Sequence, residues 1–395
     1  GEIVSTEKEY TFKLDRDMDL KAIFDTDEIF FDTYQFEYEP YSNQELKPTI
    51  SPNGKYIAGL IDSNLHIYNL SDKKLIKSYE LSSNEKFENI YFKPDDNDFI
   101  ALISDNDKSY LRLFDIDGQA SNIFEKENLE LIDWTNNGKS FVVKYFIHNH
   151  ENEEESDVKF YHMNLKGEIQ NEITIEDKFF GVVYGKSSPY SNKIAIYVYG
   201  ELVIWDLENN LLERIDFTRG FPLNWIDDER ILLHIGIRTG YDLPYAVGHL
   251  SLADKKLHTI DEYNGDSILP SYYIRSISED NKYILGYVDI DEISRPLSLN
   301  IEEEKRTYIE DLEGFIIRDS IAHNKDFYFI ANSPRSDNGD KNSVLYKLTS
   351  NLELLEIKNF DEDAKIELLK VVDGTLHYLE DYTNKMHWKT ISISN

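Results

Sequence analysis

The chain has 395 residues, a formal charge of −33, 41% hydrophobic residues and no cysteine. Disulfides, thiolate metal sites and a cysteine nucleophile are therefore excluded, and so acidic a surface argues against nucleic acid, whose phosphates need basic groups. The charge also opposes binding to anionic membrane, no run of about 18 apolar residues exists to span a bilayer, and 27 Tyr with 21 Phe favour strands over helices.

The chain opens on Gly1-Glu2 rather than on Met. Removal of a signal peptide is the expectation, which places the protein outside the cytoplasm, although a cysteine-free chain suits a reducing cytosol equally well. Residues 7 to 15, EKEYTFKLD, alternate and predict a strand with Tyr10, Phe12 and Leu14 on one face. Residues 16 to 46 carry an aromatic-rich run that matches no later pattern, and they read as a long connector packed outside or across one mouth of the fold.

From Lys47 a repeat sets in. An apolar or aromatic residue and a short polar one precede a closing Leu or Ile at Leu70, Ile116, Leu165, Leu207, Leu252, Ile301, Leu348 and Ile393, at spacings of 46, 49, 42, 45, 49, 47 and 45 residues. A period of that length means stacked copies of one small β unit. The first unit is the clearest. A short strand over 48–51 reaches the turn Ser51-Pro52-Asn53-Gly54-Lys55, whose Asn-Gly pair supplies the positive φ of a tight hairpin. Strands over 56–61, 65–70 and 75–81 follow. The same turn chemistry returns near Asn97, Asn137-Gly138, Asn281 and Asn324. Four short antiparallel strands per repeat predict the blade of a β-propeller.

The stretch Ser51-Pro52-Asn53-Gly54-Lys55-Tyr56-Ile57-Ala58 resembles the repeat of TolB-type propellers, and Ile204-Trp205-Asp206-Leu207 resembles the ending of a WD repeat. The resemblance covers nearly everything from Lys47 and implies a fold, not an activity. It departs from the WD pattern in lacking a Gly-His near the repeat start. Prolyl-oligopeptidase and dipeptidyl-peptidase relatives carry a hydrolase domain beside such a propeller, and none is expected here after the last repeat.

Eight closing positions predict eight blades, with seven, one repeat being misread, as the alternative. The eighth shows only three strands (366–372, 375–382, 387–393), so its outer strand must come from elsewhere. The N-terminal EKEYTFKLD resembles the first blade's outer strand and is expected to complete the last blade, closing the ring and hiding a sheet edge. Loss of residues 1 to 16 should then lower thermal stability. Residues 1–46 and 47–395 thus form one domain, an all-β propeller expected to be monomeric.

The loops that enter the inner strands, and those between second and third strands, gather on one face around the channel. Of eleven Arg in the chain, Arg275 and Arg318 each stand six residues before a hairpin Asn, on adjacent inner strands. Arg238, Arg295 and Arg335 fall in second-to-third-strand loops, and Arg219 in a loop entering an inner strand. Such a cluster either pairs with neighbouring carboxylates or captures a planar anion in bidentate fashion. Tyr241, Tyr245, Tyr272 and Tyr273 are near enough to join the sector or to pack between blades.

Other features point less far. The segment His148 to Asp157 has two His and several acids, but no spacing that fixes a metal geometry, and it reads as a solvated insertion. The Asp-rich turns lack the closing Glu of a calcium loop. Tyr91, Trp134, Tyr184 and Trp225 recur near inner-strand ends and are read as interblade packing rather than a stacking platform. No nucleophile elbow, phosphate loop or zinc-protease signature occurs. No cofactor and no metal are expected. The reading is a non-catalytic propeller that binds a protein, a peptide or a small anionic ligand on its loop face. The alternative is a hydrolase or lyase acting on an anionic carbohydrate or peptide at the channel.

Overall fold

The computed structural model describes residues 28–32, 48–94, 97–105, 108–116, 120–127, 129–135, 138–148, 156–177, 183–198, 201–215, 220–235, 246–262, 272–290, 293–333, 343–361, 364–382 and 385–393. They form eight four-stranded antiparallel sheets in ring order, an eight-bladed propeller. Blades 1 to 7 span residues 49–79, 85–126, 129–177, 183–215, 220–262, 272–308 and 316–359; blade 8 combines 366–392 with the strand Ile29–Asp32. In each blade the first strand in the chain is innermost, save that Ile29–Asp32 is the outer strand of blade 8.

The repeating residues have local work to do. The amides of Leu70, Leu207, Leu252, Ile301 and Ile393 donate to the carbonyls of Lys55, Asn192, Glu229, Lys282 and Gly374, tying the third strand's end to the first hairpin. The polar residue just before caps the outer turn: Asn69 Oδ1 accepts the amide of Ser71, and Asp206 Oδ1 accepts those of Glu208 and Asn209. In the first hairpin the Ser51 hydroxyl accepts the amides of Lys55 and Tyr56 while donating to Asn53, and Ser278 does the same with Lys282, Tyr283 and Asp280. Gly54 takes φ 71°, and Asn281 takes φ 56° at the corresponding turn.

The core lies between blades rather than inside any one of them. Val142, Val158 and Phe160 of blade 3 pack with Ile194, Val203 and Trp205 of blade 4. The last such layer joins blade 8 to blade 1: Phe31, Leu379 and Trp388 meet Ile57 and Leu70.

An N-terminal strand does close the ring, but it is not the stretch 7 to 15, which lies outside the described residues. The strand is Ile29–Asp32, within the segment read from sequence as a connector, with Ile29 opposite Trp388 and Phe31 opposite Met386. Its alternation is what the seam requires, since Ile29 and Phe31 are buried. The Phe31 ring covers Gly59 of blade 1 so closely that a Cβ there would lie 2.5 Å from it. Asp32 then accepts the amides of Asp62 and Ser63, anchoring the strand to blade 1 as well.

Two outcomes follow for the seam. Phe31→Ala removes a fully buried ring and should cost about 3–5 kcal/mol in denaturant unfolding, with truncation through Asp32 more severe still. Burial, reinforced by Lys73, holds His377 at about 4, against an ordinary 6.5. Its neutral Nδ1 accepts the Trp388 indole N–H at 3.2 Å. A lowered folded pKa stabilises above the unfolded value and is lost on acidification, so stability should fall as pH drops from 6.5 to about 4. His377→Gln should flatten that part of the stability–pH profile.

Candidate functional site

The inner strands line the channel, and six of them carry a β-bulge at the same place. The register shifts between Phe87 and Asn89, Leu131 and Asp133, Pro222 and Asn224, Ile274 and Ser276, Ile317 and Asp319, and Leu368 and Lys370. The extra residues are Glu88, Ile132, Leu223, Arg275, Arg318 and Leu369. A bulged residue interrupts the strand's alternation, which re-aims its side chain. Where it is apolar it seals the joint to the next blade. Ile132 packs into the cluster shared by blades 3 and 4, Leu223 into that of blades 5 and 6, and Leu369 into that of blades 8 and 1.

Blades 6 and 7 break this rule with Arg275 and Arg318. The Arg275 guanidinium lies 5.3 Å from the ring centre of Tyr287 and 5.9 Å from that of Tyr273, and the two rings are stacked at 4.5 Å. It donates to the Tyr287 hydroxyl at 3.1 Å, while its buried Nε has no hydrogen-bond partner among the described residues. Burial raises the Tyr287 pKa, opposed by Arg275. The next residue of each strand, Ser276 and Ser320's neighbour Asp319, fixes the joint below: the Ser320 hydroxyl donates to that of Ser276 at 3.0 Å, and Asp319 accepts the amides of Ser320 at 2.8 Å and Leu368 of blade 8 at 2.6 Å.

Asp133 of blade 3 makes the same pair of bonds, to the amides of Trp134 and of Ser187 in blade 4, each at 2.9 Å. Burial raises its pKa, with Lys186 and the two amides opposing. An acid raised by burial beside a Lys is what an enzyme reading asks for. Its oxygens, however, are spent on backbone amides, and Asp319 repeats the arrangement four blades away, which makes both acids interblade staples. Farther down, Asn53 donates to Asn97 at 2.6 Å, Asn224 to Asn281 at 2.6 Å, and Lys370 Nζ to the carbonyls of Ser51 and Pro52. The hairpin mouth is thus stitched from blade to blade.

Of the arginines singled out in the sequence, Arg275 and Arg318 come together on adjacent inner strands. Arg295 is set apart from them. It lies opposite Val288, whose side chain belongs to the layer between blades 5 and 6, whereas Tyr287 belongs to that between blades 6 and 7. There Arg295 pairs with Glu313 at 3.3 Å and lines a cavity of about 260 Å³ with Tyr308, Ile309 and Glu310. Arg219, Arg238, Arg335, Tyr241 and Tyr245, together with residues 149–155, lie outside the described residues. Trp225 is fully buried and its indole donates to the Lys186 carbonyl of blade 4 at 2.8 Å, in keeping with interblade packing. The bulges and Glu88 escaped the sequence reading. Their trace is a polar residue (Asn89, Asp133, Asn224, Ser276, Asp319, Lys370) interrupting an apolar inner strand.

Among the described residues no three His, Asp or Glu side chains are grouped to hold a metal ion, and no helix is long and apolar enough to cross a membrane.

The geometry can now be set beside known proteins. No family model matches the chain, and no curated protein matches it in sequence. Solved structures do. A prolyl endopeptidase aligns at 12% identity and TM-score 0.56 over 86% of this chain and 54% of its own. Prolyl oligopeptidase B from Galerina marginata aligns at 9% and 0.55 over 85% and 55%. The WD40 domain of SCAP from fission yeast aligns at 12% and 0.52 over 90% and 96%. The shared feature is the propeller. This chain spans about half the length of the two peptidases, and at such identities the likeness concerns fold alone.

Asp319→Ala strips two backbone amides of their acceptor, one of them in the next blade, and should lower unfolding stability by about 1–3 kcal/mol. Asp133→Ala should do the same at the joint of blades 3 and 4.

Proposed function

We propose that the protein is a non-catalytic propeller that binds an acidic peptide or protein segment, or a small anionic ligand, at the mouth of its channel. One observation carries the reading: two adjacent blades place Arg275 and Arg318 at a bulge that blades 3, 5 and 8 fill with Ile or Leu. A position that serves packing in blades 3, 5 and 8 carries guanidinium groups in blades 6 and 7, in a chain whose formal charge is −33. Local departures of this kind mark sites rather than scaffold. Guanidinium suits carboxylates because its planar fork donates two parallel hydrogen bonds. The stacked Tyr273 and Tyr287 hold the Arg275 group in place, which reduces the entropy lost on binding.

The test exploits the other blades. Arg275→Leu with Arg318→Leu installs the residue type used at the equivalent bulges, so the double variant should unfold within about 1 kcal/mol of the parent. Affinity for a fluorescent Glu-rich peptide, read by anisotropy, should fall at least about tenfold. Undiminished binding by the folded double variant would remove the arginines from the site. Binding by the parent should also weaken with added salt.

A further inference from the structure

Blade 2 fills the same bulge with an acid. Glu88 is exposed, accepts a hydrogen bond from the Ser104 hydroxyl, and has no cationic partner among the described residues. With eight blades in chain order around the ring, blade 2 stands four places from blade 6. Glu88 and Arg275 therefore occupy equivalent positions on diametrically opposite blades.

The surroundings of Glu88 sharpen the contrast. The other acids of the inner strands nearby are already engaged: Glu85 pairs with Arg112 at 3.0 Å, Glu130 with Lys144 at 2.8 Å, and Asp133 is held by two amides. Among these described acids of blades 2 and 3, Glu88 is the one held only by a hydroxyl, with exposed Lys86 two residues before it on the same strand. At the bulge position the ring thus sets a carboxylate at blade 2 opposite guanidinium groups at blades 6 and 7.

We infer that the ligand is dipolar: a peptide segment with carboxylates at one end and an ammonium or guanidinium group at the other, laid across the channel in a single direction. Its acidic end meets Arg275 and Arg318, and its cationic end meets Glu88. An exclusively anionic ligand would have to bring one end against Glu88 and be repelled there, so the polarity selects by repulsion as well as attraction. The inference rests on the arginine site proposed above and adds the opposite pole to it.

Three labelled peptides test it: a Glu tract joined to a Lys tract by an uncharged spacer of about four to eight residues, each about 3.3 Å long when extended, an all-Glu peptide of equal length, and the uncharged spacer alone. Anisotropy titrations with the full chain should show the dipolar peptide binding about tenfold more tightly than the all-Glu peptide. Glu88→Gln should erase that preference, and Glu88→Lys should reverse it. Glu304→Gln, an equal change of net charge on an exposed outer turn of blade 6, should leave the preference intact. Equal or tighter binding of the all-Glu peptide by the parent, or a preference unaltered by Glu88→Gln, overturns the polarity while leaving the arginine site standing if Arg275→Leu with Arg318→Leu still abolishes binding. Failure of both charged peptides to bind overturns the two together.

Discussion

Each blade of this protein has two apolar faces, and water can be kept from both only if a blade stands on either side. A ring satisfies that requirement for every blade at once, which is why the hydrophobic clusters run between sheets and join neighbours, as Phe160 and Trp205 do across blades 3 and 4. The condition has no partial solution. If the joint between blade 8 and blade 1 opened, Phe31, Ile57 and Trp388 would face solvent together and an outer sheet edge would be exposed. The four residues Ile29–Asp32 carry this burden by pairing with blade 8 through the backbone and with blade 1 through Phe31 and Asp32.

Once the ring is closed, the inner strands are constrained only on their packed faces, and the bulge is the place where a side chain is re-aimed. Ile132, Leu223 and Leu369 return the re-aimed side chain to packing. Blades 2, 6 and 7 carry Glu88, Arg275 and Arg318 there instead. The staples beneath them, Asp133, Asn224, Asp319 and Lys370, hold successive inner strands in register through hydrogen bonds to the next blade. The variable groups therefore sit on a rigid support, which is the arrangement that lets one scaffold carry different chemistries.

Much of the scaffold could be read from residues alone because its signals are local. The closing Leu or Ile recurs because its amide reaches the first hairpin, the Asn or Asp before it because it caps a turn, and Ser51 and Ser278 because one hydroxyl serves several groups of the same turn. Each signal spans a few residues and survives in the sequence as a ruler. The site was legible only in part. Arg275 and Arg318 could be paired by their common distance from a hairpin Asn, and they do stand on adjacent inner strands. Arg295 shares a sector in sequence but sits on the other face of blade 6, because a strand's alternation sends neighbouring residues to opposite sides.

What the sequence determined by itself was the unit, the number of units and the need for an outer strand from the N-terminus, since periodicity and turn chemistry are encoded within each repeat. Only the tertiary structure decided that this strand is Ile29–Asp32. Long-range pairing there depends on which buried pattern fits the groove over Gly59, and the alternating stretch at 7 to 15 gave no measure of that fit. Tertiary structure likewise decided that Glu88 and Arg275, 187 residues apart in the chain, stand at equivalent bulges on opposite blades. That relation belongs to the closed ring and to no segment of it.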